Sequence, residues 1–322
     1  MREPEFWHRD DAASRALRMA LSPLSWAYGA SVARKARHAR PYCSRAKVIC
    51  VGNLTVGGVG KTPVAIAIAE TLIARGLKPA FLSRGYGGTK QGPLAVNPQM
   101  DRAADVGDEP LLLARTAPAF VSRDRAAGAA LAEQNADVIV MDDGHQNFSL
   151  AKDLSLIVVD GETGFGNERV LPAGPLREPI VQGLARADAV IVIGEGPPDL
   201  KNFSGPVLRA HLRTGEIPQA KGKVIAFAGI GRPEKFFASL RALGADIIDA
   251  HAFPDHHAYT PGEIAKLKTQ ARATSAVLIT TEKDYMRLTD AEREDIATLP
   301  LRAVFDDPAA LGRLLDTVAP AR

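Results

Sequence analysis

Residues 55–63 read TVGGVGKTP and follow directly on the apolar run VICVGN at 48–53. Apolar strand, glycine-rich turn and a Lys-Thr pair opening a helix form the context in which a phosphate-binding loop is credible. The loop runs Thr55, Val56, Gly57, Gly58, Val59, Gly60, Lys61, Thr62. Backbone N–H groups from Gly57 to Gly60 are expected to converge on phosphate oxygens, since residues lacking Cβ permit that approach. The helix beginning near Thr62 adds its N-terminal dipole. Lys61 is expected to reach the β- and γ-phosphates, and the Thr62 hydroxyl to ligate Mg²⁺. Thr55 stands where the usual pattern has its first glycine. That position is the most replaceable, because the tight anion contacts come from the later ones. ATP and Mg²⁺ are the expected cofactors.

Around the loop, apolar runs alternate with helical patterns, which predicts an α/β fold with a largely parallel sheet of P-loop NTPase type, flanked by helices. Strands are expected at 47–52, 79–83, 119–122, 137–142, 154–159 and 188–193, and helices at 62–75 and 124–134. VIVMDDG at 138–144 ends one strand in Asp142 and Asp143, the acidic partner that a phosphate loop needs for Mg²⁺. The Gly/Pro-rich segment 196–222 reads as a connector. A second, smaller α/β set follows: strand and turn at 223–231, helix at 233–243, strand at 246–250, helix at 261–272, and a strand with a polar end at 275–284. The expected organisation is an arm at 1–45, a P-loop nucleotide-binding domain at 46–195, the connector, and a smaller C-terminal α/β domain at 223–322.

The net charge of +3 is unevenly placed, with ten Lys/Arg against four Asp/Glu in residues 1–48. A basic arm on a mildly acidic body argues against a general nucleic-acid binder and for one anionic attachment surface. Leu17, Leu21, Leu24 and Tyr28 recur at helical spacing, with Trp26 nearby and Arg34, Lys35, Arg37 and Arg40 following. Ser22-Pro23 is read as the cap of a new helical segment. The charge-free stretch 19–33 is too short for the roughly 20 residues that span a bilayer. An interfacial helix fits better, and packing of the Leu stripe on the body is the plainer alternative. Ser31-Val32-Ala33 resembles an export cleavage site, but acidic residues before it and an ATP-type loop after it argue against export. Cys43 and Cys50 read as reduced thiols, unable to build a zinc site alone.

Further polar clusters fall where loops after strands carry ligands. These are LSRGYGG (82–88) with Arg84, GDEP (107–110) with Asp108 and Glu109, LPAGPLREP (171–179) with Arg177 and Glu178, and FPDHHAY (253–259) with adjacent histidines. Each has a plainer reading: Asp108 and Glu109 as helix-start acids, His256 as an ordinary packed histidine.

Together GNLTVGGVGKTP, LSRGYGG, GDEP, DDG-x-Q, FGN-x-x-x-LPAGPLRE, the AGIG turn, F-x-DHH and TEKD closely resemble the tetraacyldisaccharide 4′-kinase family, from about residue 20 to residue 290. The resemblance implies transfer of the ATP γ-phosphate to the 4′-hydroxyl of a tetraacylated glucosamine disaccharide 1-phosphate, at the cytoplasmic face of the inner membrane. That agrees with a peripheral, membrane-surface arm. It implies Asp108 as base assisted by His256. Lys61 and Arg177 are then expected to neutralise the transferring phosphoryl group, and Asp142, Asp143 and Glu178 to position metal and water. The chain departs from the family pattern in reading Asp142-Asp143-Gly144-His145-Gln146-Asn147, without the usual histidine at 147, and in carrying Glu168 where a glycine is usual. The rival is a P-loop switch ATPase acting on a protein partner. Partitioning ATPases of that kind carry a lysine just before the Gly-Gly pair, where this chain has Val56.

Overall fold

Two sheets emerge from the alternating pattern, in a computed structural model that describes residues 4–201, 203–215, 217 and 221–320. After a short 3₁₀ turn at Glu5–Trp7 come α1 (Ala12–His38), β1 (Lys47–Gly52), α2 (Lys61–Ala74), β2 (Pro79–Ser83), β3 (Leu94–Ala95), α3 (Ala103–Val106), α4 (Asp108–Leu113), β4 (Ala119–Val121), α5 (Arg125–Ala132), β5 (Val138–Asp142), β6 (Leu154–Asp160), α6 (Ile180–Leu184), β7 (Ala189–Ile193) and β8 (Val207–Thr214). The second half supplies β9 (Lys223–Ala228), α7 (Pro233–Ala242), β10 (Asp246–Ala252), α8 (Pro261–Ala273), β11 (Val277–Thr281), α9 (Glu282–Met286), α10 (Asp290–Arg293), β12 (Ile296–Leu299), β13 (Leu301–Phe305) and α11 (Pro308–Asp316).

The larger sheet has nine strands in the order β13-β8-β7-β6-β1-β5-β2-β4-β3, and the smaller has four in the order β10-β9-β11-β12. Within the larger sheet β8 to β4 run parallel, with β13 and β3 antiparallel at the two edges. Its central strands are buried on both faces, as continuous apolar runs require. Ile49, Val51, Phe81 and Val140 pack with Val64, Ile68 and Leu72 of α2. On the opposite face Val48, Cys50, Leu82 and Ile139 pack with Ala129 and Ala132 of α5. β1 lies between β6 and β5, so the strand order turns there and opens the crevice in which such sheets hold ligands.

The boundaries read for β1 and β2 hold to the residue, and the other expected strands of this sheet hold to within one. Three readings are corrected. Segment 196–222 is more than a connector, because β8 within it pairs with β7 and β13. Residues 301–316 belong to the larger sheet and not to the C-terminal one. Phe305, Leu311 and Leu315 are buried with Leu72 and Ile191 in the core beneath that sheet. Finally, Pro23 lies inside an unbroken α1 capped by Asp11, and does not start a new helix. Proline removes one helical N–H. The Ser22 and Ser25 hydroxyls donate to the Arg18 and Leu21 carbonyls on either side of the gap, at 2.9 and 3.3 Å.

Of the apolar stripe of α1, Leu17, Leu24 and Tyr28 are exposed and Leu21 is half-buried, so most of it does not pack on the body. The buried positions are Ser14, Arg18, Ser25 and Gly29. Met19, Leu24 and Trp26 are 65%, 59% and 78% exposed. The helix is inverted, with small and polar residues docked and large apolar residues outside. Among the described residues no helix is long and apolar enough to cross a membrane. Cys43 and Cys50 are both free thiols.

Candidate active site

The phosphate loop leaves β1 and enters α2 with Gly57 and Gly60 at φ of +97° and +90°, left-handed backbone that favours glycine. Thr55 has no such need. It bridges antiparallel to Leu176, and the Asn53 amide donates to its carbonyl at 2.7 Å. Lys61 Nζ donates to Asn53 Oδ1 at 3.2 Å and stands 3.7 Å from Asp143 Oδ1. Thr62 Oγ1 donates to Asp142 Oδ2 at 3.0 Å. The other Asp142 oxygen, Oδ1, is buried without a hydrogen-bond partner. Burial, then the neighbouring charges of Glu109 and Asp143, push the Asp142 carboxyl above its ordinary range. An orphaned carboxylate oxygen beside a threonine hydroxyl fits Mg²⁺, which takes one or two protein oxygens and completes its shell with phosphate and water.

The other two expected metal residues face cations. Asp143 sits at φ +54° and is gripped by Arg177, Nη1 to Oδ1 at 2.6 Å and Nη2 to Oδ2 at 3.0 Å. Burial opposes its ionisation, but Lys61 and Arg177 hold it well below the usual carboxylate range. Glu178, fully buried, accepts from Gln146 at 2.9 Å and Arg186 at 2.6 Å. His145 lies beneath, with Nδ1 3.0 Å from Ser155 Oγ and Nε2 3.0 Å from the Gly183 carbonyl. Burial lowers its pKa to about 3, so the ring is neutral.

Asp108, at the start of α4, and His256, in the loop after β10, meet at 3.2 Å between Oδ2 and Nδ1. Asp108 opens α4 and is 3% exposed. His256 adopts φ +57°, its N–H donating to the Gly229 carbonyl of the AGIG turn at 3.0 Å. Of the two adjacent histidines, His257 turns away to Glu263 at 3.1 Å and stacks on Phe253. The hydrogen bond to Asp108 raises the His256 pKa against burial. Burial disfavours the Asp108 carboxylate, yet His256, Arg287 and Lys283 together hold it far below its ordinary range.

Neither Arg287 nor Lys283 has a role in the sequence analysis. Arg287 Nε and Nη2 both donate to Asp108 Oδ2, the first at 2.9 Å. Lys283 Nζ donates to Glu109 Oε1 at 2.6 Å. TEKD flags Lys283, whereas nothing near Arg287 announces it and its partner lies 179 positions away.

LPAGPLREP joins the arm to this site. The Trp7 indole donates to the Pro172 carbonyl at 3.0 Å and Ala173 N–H to Ser25 Oγ at 3.1 Å. Val56 N–H donates to the Pro175 carbonyl at 2.8 Å on the far side. A cavity of about 660 Å³ opens between the arm and the outer face of the phosphate loop, lined by Arg9, Arg15, Arg18, Arg169 and Arg232 among others. Lys61, Asp108 and His256 do not line it.

Fold and site thus define a P-loop nucleotide-binding enzyme that also carries a carboxylate–imidazole pair, with Lys283 acting on both Asp108 and the loop-side Asp142. The family model for tetraacyldisaccharide-1-P 4′-kinase matches residues 17–319, and the chain belongs to that family. It is 54% identical to tetraacyldisaccharide 4′-kinase of Paramagnetospirillum magneticum, over 99% of each chain. To the enzyme of that name from Rhodospirillum rubrum it is 52% identical, over 98% of this chain and 97% of the other. Among solved structures it resembles LpxK from Aquifex aeolicus in complex with ATP, at a TM-score of 0.77 and 27% identity, over 94% of this chain and 99% of that one.

Proposed function

We propose that the chain transfers the γ-phosphate of ATP to the 4′-hydroxyl of a tetraacylated glucosamine disaccharide 1-phosphate, a step of lipid A biosynthesis. The observation that carries this reading is the Asp108–His256 pair, 3.2 Å apart, with Lys283 close enough to act on both Asp108 and the loop-side Asp142. A sugar hydroxyl is a weak nucleophile and needs a proton acceptor as it attacks. His256 is the better acceptor. Asp108 is buried and bound to Arg287, which leaves it little basicity. His256 is more accessible, its pKa raised from the ordinary histidine value. Asp108 then orients the ring through Nδ1 and stabilises the cation that forms, leaving Nε2 for the hydroxyl proton. The 4′-oxygen bonds to the γ-phosphorus, the bond to the bridging oxygen breaks, ADP leaves, and the proton passes from His256 to solvent.

Thr62 and Asp142 are the residues that would hold Mg²⁺, which supplies neutralisation of the β- and γ-phosphate oxygens when bound. Lys61 adds its charge at the γ-phosphate, and Arg177 keeps Asp143 aligned beside it. Arg84 is exposed at the end of β2. After burial, its charge is the main influence lowering the pKa of the buried Arg125 guanidinium, to about 10. Two such cations suit a phosphate-bearing acceptor. The body containing β9–β12 closes over the nucleotide, since His256 follows its strand β10 while Asp108 opens α4 beside the larger sheet.

The arm belongs at the cytoplasmic face of the inner membrane as a peripheral element. Support for that comes from the outward Met19, Leu24 and Trp26 and the cations at its end. Nothing favours the switch-ATPase reading, since Val56 occupies the place of the lysine and its N–H holds the Pro175 carbonyl.

Incubation with labelled ATP, Mg²⁺ and detergent-dispersed disaccharide 1-phosphate tests the reaction. Label is expected on the lipid, falling about a hundredfold or more in Asp108→Asn and His256→Ala. ATP hydrolysis with no label on the lipid would overturn it.

A further inference from the structure

We propose that Arg287 is a positioning residue for the phosphoryl transfer: it fixes the Asp108 carboxylate against His256 and joins the two sheets at that point. The guanidinium is itself fixed. Nη1 donates at 2.7 Å both to Asp284 Oδ1 and to the Gly229 carbonyl. Asp284 is wholly buried, and its Oδ1 also accepts from the Tyr259 hydroxyl at 2.8 Å and the Gly229 N–H at 3.0 Å. The AGIG turn, the histidine loop and α9 therefore converge on one rigid fork. Its remaining edge, Nε and Nη2, points across the gap at Asp108 Oδ2.

This arrangement divides the two carboxylate oxygens. Oδ2 is shared by Arg287 and His256, while Oδ1 takes the Glu109 N–H at 2.9 Å. Pinned at both oxygens, Asp108 cannot swing away from the imidazole. A planar fork with opposite edges on Asp284 and Asp108 is a geometry that arginine supplies and lysine does not.

The inference rests on the Asp108–His256 reading above, and the two fail differently. If Asp108→Asn and His256→Ala keep wild-type turnover, that reading falls, whatever Arg287 does. If both lose turnover, Arg287→Met and Arg287→Lys decide the role of Arg287. In Arg287→Met kcat is expected to fall about tenfold to a hundredfold, with KM for ATP within about threefold.

The pH profile separates positioning from mere support of the fold. The charges facing the pair are Arg287, Lys283 and Asp255, with the Glu109 carboxylate held by Lys283 and the Tyr86 ring beside His256. Removing the Arg287 cation while Asp108 stays ionised raises the imidazole pKa, so the acid limb of kcat moves to higher pH. Arg287→Lys keeps the charge and is expected to return the limb to its wild-type place, with kcat still about fivefold or more down. Wild-type kcat in either folded variant, or a lowered kcat with an unmoved limb in Arg287→Met, would overturn the proposal. If Arg287→Met does not fold, kcat of Arg287→Lys decides alone.

Discussion

Thr62 and Asp142 form the tightest prediction at the level of single residues. Their 3.0 Å contact and the unpartnered Asp142 Oδ1 predict that Thr62→Ala lowers kcat by about a hundredfold. The Mg²⁺ concentration for half-maximal rate should rise with it, which a magnesium titration of initial rates measures. His145 offers a test independent of activity. Its folded pKa is about 3, against about 6.5 in an unfolded chain. Between those values the unfolded state binds the proton and the folded state does not, so stability falls as pH drops below about 6.5. By pH 5 this group removes about 2 kcal/mol. Denaturant unfolding at pH 7 and pH 5 should therefore give a smaller difference for His145→Gln than for wild type. Lys61 and Thr62 were legible in the sequence because the phosphate loop is local. Arg287 was not, since a guanidinium earns its place only from what the chain brings to it from afar. The DHH segment was intermediate. Its chemistry was plain, but only the fold separates His256, on Asp108, from His257, on Glu263.

Among the elements, α1 makes the sharpest prediction, because its two faces do different things. Leu24→Glu and Trp26→Glu act on the outward face. Binding to anionic vesicles in a sedimentation assay should fall about fivefold or more, with the thermal midpoint within about 2 °C. Gly29→Leu acts on the docked face, where a Cβ lies 3.6 Å from Pro179 Cδ. Further atoms there displace the loop bearing Arg177 and Glu178, and turnover should fall about tenfold even toward micellar substrate. Elements were readable where burial was uniform. β1 and β2 are apolar runs with clear ends, whereas β8 reads VLRAHLRT between Gly- and Pro-rich flanks. Its arginines and histidine mask Leu208 and Ala210, which are buried. At Pro23 the sequence points to a helix start, since a proline inside a helix and one in its first turn look alike until Asp11 is seen to cap one continuous α1.

At the scale of the whole molecule, the larger sheet draws on both ends of the sequence. A chain ending at residue 300 lacks β13 and α11, and with them buried Phe305, Leu311 and Leu315. Each such side chain contributes about 1.5–3 kcal/mol, against a total stability of about 5–15 kcal/mol. The truncated protein should show no cooperative unfolding transition in urea, and a sharp transition there would contradict the architecture. No local signal reveals such a return, which is why sequence reading assigned 301–316 to the wrong sheet.

The same return sets a clock on synthesis. β8 leaves the ribosome about ninety residues before β13, the strand that covers its open side. At translation rates of about 5–20 residues per second, that edge waits roughly 5 to 20 seconds without its neighbour. During this interval a nearly finished parallel sheet presents unpaired backbone donors and acceptors to every other nascent chain nearby. The cost of threading the last strand home is paid in vulnerability while the protein is being made, not in the stability of the finished enzyme.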